Sequence, residues 1–161
     1  MQDIAERATV NRATFYAHFE DTYALLESWR RAKFHRVLQS QLPASSVLQV
    51  NTLRALILAV FDFLANFRRY MKPPDKQFEP LFEVALQQEL HEVLLNWLNQ
   101  VPSQAPALQR TMKTTALIIS WAIFGPAVQW SRGEQTCSVE EMANHVLTIV
   151  VAGLSPVIAI T

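Results

Sequence analysis

Asn11, Arg12, Ala13, Thr14, Tyr16 and His18 share one short stretch with two phenyl rings, Phe15 and Phe19. The polar members offer an amide, a guanidinium, hydroxyls and an imidazole, the groups that hydrogen-bond phosphate oxygens and base edges. The rings have a different task, because side chains of that size are held against a core. A second polar set, Asp62, Asn66 and Arg69, sits at helical spacing among Ala55, Leu58 and Ala59. A carboxylate in such company needs a cationic or hydrogen-bond-donating partner if it is to be covered. Glu89, His91 and Glu92 form no His-x-x-x-His or Glu-x-x-His pair, His35 and His145 stand alone, and Cys137 is the single cysteine. Hence no metal site is expected. No nucleophile with base and orienter, phosphate loop or facing acid pair is recognisable, so neither a catalytic residue nor a cofactor is expected.

The elements that position these groups are helices. Three glycines in 161 residues are too few for a turn-rich β fold, and apolar residues recur at helical spacing, so the expected class is all-α. Residues 2–8 make a short helix; Asn11 caps a second through Phe19; Asp21 caps a third through Leu25, Leu26, Trp29 and Val37. A helix from Asn51 to Tyr70 stops before Pro73-Pro74 and lines one face with Leu53, Leu56, Ile57, Val60, Leu64 and Phe67. Residues 78–100 read as one or two helices. From Leu108 to Trp130 the pattern is apolar nearly all round, which demands cover on both sides. Ser138-Val139-Glu140-Glu141 is a capping box opening the last helix, with Met142, Val146 and Val150 on one stripe.

Composition bounds the function. Lys plus Arg equals Asp plus Glu at 14 each, so any nucleic-acid affinity must come from the placement of charges. A lone cysteine suits a reducing compartment, no leader pattern opens the chain, and the apolar run 116–128 is shorter than the ~20 residues of a bilayer span; the expected location is cytoplasmic, without a membrane partner.

Helix, turn at residues 9–11, helix is a helix-turn-helix pattern, in which Ile4, Ala8, Val10, Phe15 and Phe19 join the helices and the early residues of the second face a major groove. The run Ile4-Ala5-Glu6-Arg7-Ala8-Thr9-Val10-Asn11-Arg12-Ala13-Thr14-Phe15-Tyr16-Ala17-His18-Phe19, followed by Leu25-Leu26, resembles the signature of TetR/AcrR transcription regulators, I-A-x-x-A-G-V-S-x-G-T-F-Y-x-H/Y-F-x-x-K-x-x-L-L. Thr9 and Ala13 replace two usual glycines, Asn11 replaces a serine cap, and Thr22 stands where a phosphate-contacting lysine is common. A hydroxyl there supplies no charge, which weakens the salt-dependent part of binding. The resemblance implies an N-terminal DNA-binding unit whose first helix is missing ahead of residue 2, occupying residues 1–36 with the start of a connecting helix. Residues 37–161 would form a helical effector-binding and dimerisation domain.

On that resemblance the expected DNA-facing residues are Asn11, Arg12, Ala13, Thr14, Tyr16, His18 and Thr22. The expected pocket for an unknown small-molecule effector gathers Asp62, Phe63, Asn66, Phe67, Trp97 and Trp121, and the expected partners are operator DNA and a second copy of the chain. The homodimer also follows from the all-round apolar helix, through Ile118, Trp121, Phe124, Val128, Met142, Val146 and Val150. The function expected is a ligand-responsive regulator, a repressor that a small molecule releases from its operator; the alternative is a helical ligand-binding or interaction protein without DNA-binding activity.

Overall fold

A computed structural model describes residues 7, 9, 11–42, 48–70, 79–100, 106–133 and 137–154; for Arg12 and residues 106–110 it describes the backbone alone. Among the described residues six helices follow in order: α1 Arg12–His18, α2 Thr22–Gln41, α3 Val50–Tyr70, α4 Glu79–Asn99, α5 Pro106–Arg132 and α6 Val139–Leu154. There is no strand among the described residues, so the fold is all-α. Of the expected helix at residues 2–8 only Arg7, helical and exposed, is among the described residues; Ile4, Ala8 and Val10 lie outside them.

Helix starts follow local chemistry. The Asn11 side chain accepts from the Ala13 N–H at 3.0 Å and that of Asp21 from the Ala24 N–H at 2.7 Å, pairing donors that a first helical turn leaves open. The Ser138 hydroxyl accepts from the Glu141 N–H at 3.2 Å while the Glu141 carboxylate accepts from the Ser138 N–H at 2.9 Å, a reciprocal box. Residues 79–99 form one unbroken helix; Pro80 is accommodated because a first-turn residue has no intrahelical use for its N–H. Pro126 lies inside α5, where it offers no N–H to the carbonyl of Ala122.

Helix α3 is the centre of the bundle. It packs on α2, α5 and α6, while α4 packs on α2 and α5. Leu53, Leu56, Ile57, Val60, Phe61 and Leu64 are wholly or almost wholly buried, and Phe67, on the same expected face, is half-buried. Each such side chain contributes about 1.5–3 kcal/mol on leaving water. Phe34 meets Phe63 with ring centroids 4.8 Å apart, and Phe67 meets Phe82 at 4.0 Å, tying α2, α3 and α4 together. The buried Gln87 amide donates to the Ser120 hydroxyl at 3.0 Å, so the one polar joint between α4 and α5 described in the core is satisfied.

Cover for α5 is one-sided. Ala116, Ile119, Ile123, Phe124, Ala127 and Val128 are buried, whereas Leu117, Ile118 and Trp121 are exposed. Residues 50–70 and 111–132 are long and apolar enough to cross a bilayer, which the sequence reading of run length overlooked. Their apolar residues are largely those of the bundle core, the ordinary reason a buried helix passes that test.

Candidate nucleic-acid interface and ligand groove

Helix α1 is short and sharply two-sided. Phe15 is buried and packs edge-on to Tyr16 at 5.5 Å and against Phe19 at 5.7 Å; Phe19 is half-buried. Asn11, Ala13, Thr14, Tyr16 and His18 are all exposed, Tyr16 by 53%. The aromatics hold the helix while the small and polar side chains face outward, as the composition of the stretch requires. The Arg12 side chain lies outside the described residues. Thr22, half-buried, opens α2 directly after its Asp21 cap. Thr9, in the preceding turn, has φ 55, the left-handed region that a β-branched residue adopts under strain.

A groove of about 530 Å³ opens between α2 and α3. Asp62, Phe63, Asn66 and Phe67 line it from α3, as does Tyr70. Trp29, Arg30 and Lys33 are the main features of the α2 wall. The buried Arg30 guanidinium lies 5.1 Å from the ring centres of both Phe67 and Phe82, and the Lys33 ammonium lies 5.3 Å from that of Trp29. Partial burial, with the Glu140 charge nearby, pushes the Asp62 carboxyl above its ordinary range. Asp62 and Asn66 also border a second, shallower depression with Arg69, Trp130 and Cys137.

Trp97 and Trp121 do not line the groove. Trp97 is 5% exposed and belongs to the core, while Trp121 sits on the open side of α5, edge-on to Phe124. Conversely, sequence reasoning missed the whole α2 wall. Its signal was present as the helical recurrence Leu26, Arg30, Lys33, Val37, Gln41, but its meaning depends on which helix lies opposite.

Beside the groove α2 is clamped to α4. The buried Glu89 carboxylate accepts from Arg31 Nε at 2.8 Å and pairs with His35 Nδ1 at 2.5 Å. Burial works against the charged carboxylate, but those bonds and charges prevail and hold it below its ordinary range. A second cluster joins Arg68 and Arg132 to Glu79 and Glu83, linking α3, α4 and α5.

Of the residues expected at a dimer contact, Phe124, Val128, Val146 and Val150 are covered within one chain and Met142 is half-buried. The open apolar surface consists of Ile118 and Trp121 with Leu117 on α5, and Ile149 on α6.

Residues 1–28, which include α1 and the opening turns of α2, match the sequence profile of bacterial regulatory proteins of the tetR family. The match covers the N-terminal sixth of the chain and supports a tetR-type regulator with a partial helix-turn-helix unit. Comparison with curated proteins and with solved structures returns no match. The profile describes DNA-binding transcription regulators, which is what the matched segment is similar to. The matched segment contains the outward face of α1, while the α2–α3 groove lies beyond it.

Proposed function

We propose that this chain is a one-component repressor of the tetR type, released from operator DNA when a small molecule occupies the α2–α3 groove. The reading is carried by one observation: the polar, outward face of α1 falls inside the matched segment, supported from behind by Phe15. Arg12, Ala13, Thr14, Tyr16 and His18 would approach the major groove, with Asn11 and Thr22 at the ends of the contact. Residues 1–36 then act as the DNA-binding unit and residues 37–161 as the effector and dimerisation domain, with α2 running unbroken across that boundary. Asp62, Phe63, Asn66 and Phe67 would contact the effector. Two copies, meeting through the open faces of α5 and α6, would set two recognition helices on one operator in the cytoplasm.

Selection from a random duplex pool, followed by gel shift, tests the DNA half. A palindromic sequence should emerge, and Tyr16→Ala with Arg12→Ala should weaken it by about 1–3 kcal/mol or more while circular dichroism stays unchanged. The balanced formal charge favours a second reading, a ligand-binding helical protein with no nucleic-acid role. Failure to enrich any duplex, or enrichment that the two substitutions leave intact, decides against α1 as the reader.

A further inference from the structure

Two opposite charges line the α2–α3 groove without meeting. Lys33 enters from α2 and Asp62 from α3, yet they are farther apart than the 4.0 Å of an ion pair, and among the described residues neither has an ion-pair partner. Phe63 and Phe67 supply aromatic wall beside Asp62, and Trp29 supplies it beneath the Lys33 ammonium. Arg30, on the same wall, keeps its buried guanidinium over the Phe67 and Phe82 rings. On the other side Glu140 adds negative charge near Asp62. The groove is therefore electrically two-ended: positive on α2, negative on α3, aromatic along its walls.

We infer that the groove takes an amphoteric aromatic molecule, with a carboxylate directed to Lys33 and a protonated amine directed to Asp62. This deepens the effector reading given above and rests on it. A purely cationic ligand would satisfy Asp62 but face Lys33; a purely anionic one would meet the reverse. A ring system bridging both ends completes two charge-assisted contacts and covers the aromatic walls. Asn66, also in the lining, has donor and acceptor atoms for the linking portion.

The test uses two matched probe sets differing in length. One is 4-(aminomethyl)benzoate with 4-methylbenzylamine and 4-methylbenzoate; the other is 4'-(aminomethyl)biphenyl-4-carboxylate with the biphenyl amine and the biphenyl carboxylate alone. Calorimetric dissociation constants are measured for the unmodified chain, Asp62→Asn, Lys33→Met and the charge-retaining Asp62→Glu. In at least one set the two-ended probe should bind about ten-fold or more tighter than either single-ended relative. Asp62→Asn should reduce it to the level of the carboxylate probe, Lys33→Met to that of the amine probe, and Asp62→Glu should retain the preference. Equal affinity of two-ended and single-ended probes overturns the inference and leaves the groove as an effector site of other chemistry. No binding by any probe overturns it as well. The two-ended preference without any release of the selected duplex in gel shift supports the ligand class and sinks the repressor reading instead.

Discussion

Thr9 sets its Cβ against the following carbonyl at φ 55, a placement that costs an ordinary residue about 1–2 kcal/mol. Thr9→Gly should therefore raise stability by about 1 kcal/mol, less what glycine loses in chain entropy, read as a higher urea midpoint at unchanged slope. A lowered midpoint would show that contacts of the threonine side chain outweigh the strain. Two carboxylates pull the acid behaviour of the chain in opposite directions. Glu89 titrates below its ordinary value of 4.5 in the folded chain, so its stabilisation is complete above that pH and is lost as pH falls through the folded value. Asp62 titrates above its ordinary 3.8, so its contribution is fullest below that pH and is lost as pH rises through the raised value. Glu89→Gln should lower stability at neutral pH by about 1–3 kcal/mol and flatten the acid decline. Asp62→Asn should instead gain stability at neutral pH relative to the parent, and the gain should vanish toward pH 3.8. Urea titrations across the range from about pH 3 to pH 7 separate the two; parallel profiles for parent and variants would refute both assignments.

At the scale of elements, caps carry the most information because they are settled within four residues of chain. Asn11, Asp21 and Ser138 stand in the sequence as they stand in the fold. Ser138→Ala should cost about 1 kcal/mol, seen as a lower thermal midpoint, and Ser138→Asp should recover most of it. A null result for Ser138→Ala would mean that α6 is held at its start by packing alone. The core stripe of α3 was equally legible, since its spacing fixes which side chains share a face. Pairing between elements was not. Trp97 and Trp121 are the same residue type on neighbouring apolar helices, and only the tertiary arrangement sends one into the core and leaves the other open. The α2 wall of the groove was hidden for the same reason: Trp29 stands in the sequence only as an apolar position of its helix, and Arg30 and Lys33 gain a meaning once α3 is laid beside them. For α1 the outward polar set was legible because Phe15 and Phe19 declare the inner side, and the residues between them must face away.

For the molecule as a whole, the uncovered side of α5 is the surface on which the proposed assembly rests. Ile118 and Trp121 are 63% and 53% exposed and Ile149 on α6 is 71% exposed, whereas Val128 is 7% exposed. If two copies meet there as proposed, the parent should sediment as a dimer at micromolar concentration, and Ile118→Glu with Ile149→Glu should yield a monomer with secondary structure intact. Val128→Glu acts differently: an unpaired carboxylate at that depth should unfold or aggregate the chain by destabilising the bundle itself. A parent already monomeric at that concentration, or a double variant that remains dimeric, removes this face from the assembly.

The Glu89 clamp also has a mechanical meaning. Helix α2 rises about 1.5 Å per residue, so the nine residue steps from Thr22 to Arg31 make a stiff arm of roughly 13 Å. With Arg31 and His35 fixed to α4, a tilt of about 10° about that fulcrum displaces the Thr22 end by roughly 2 Å, close to half a helical turn's rise. The groove flanks the pivot and α1 lies just beyond the tip of the arm. A wedge at the pivot would move the tip by ångströms while the α3 core stayed in place.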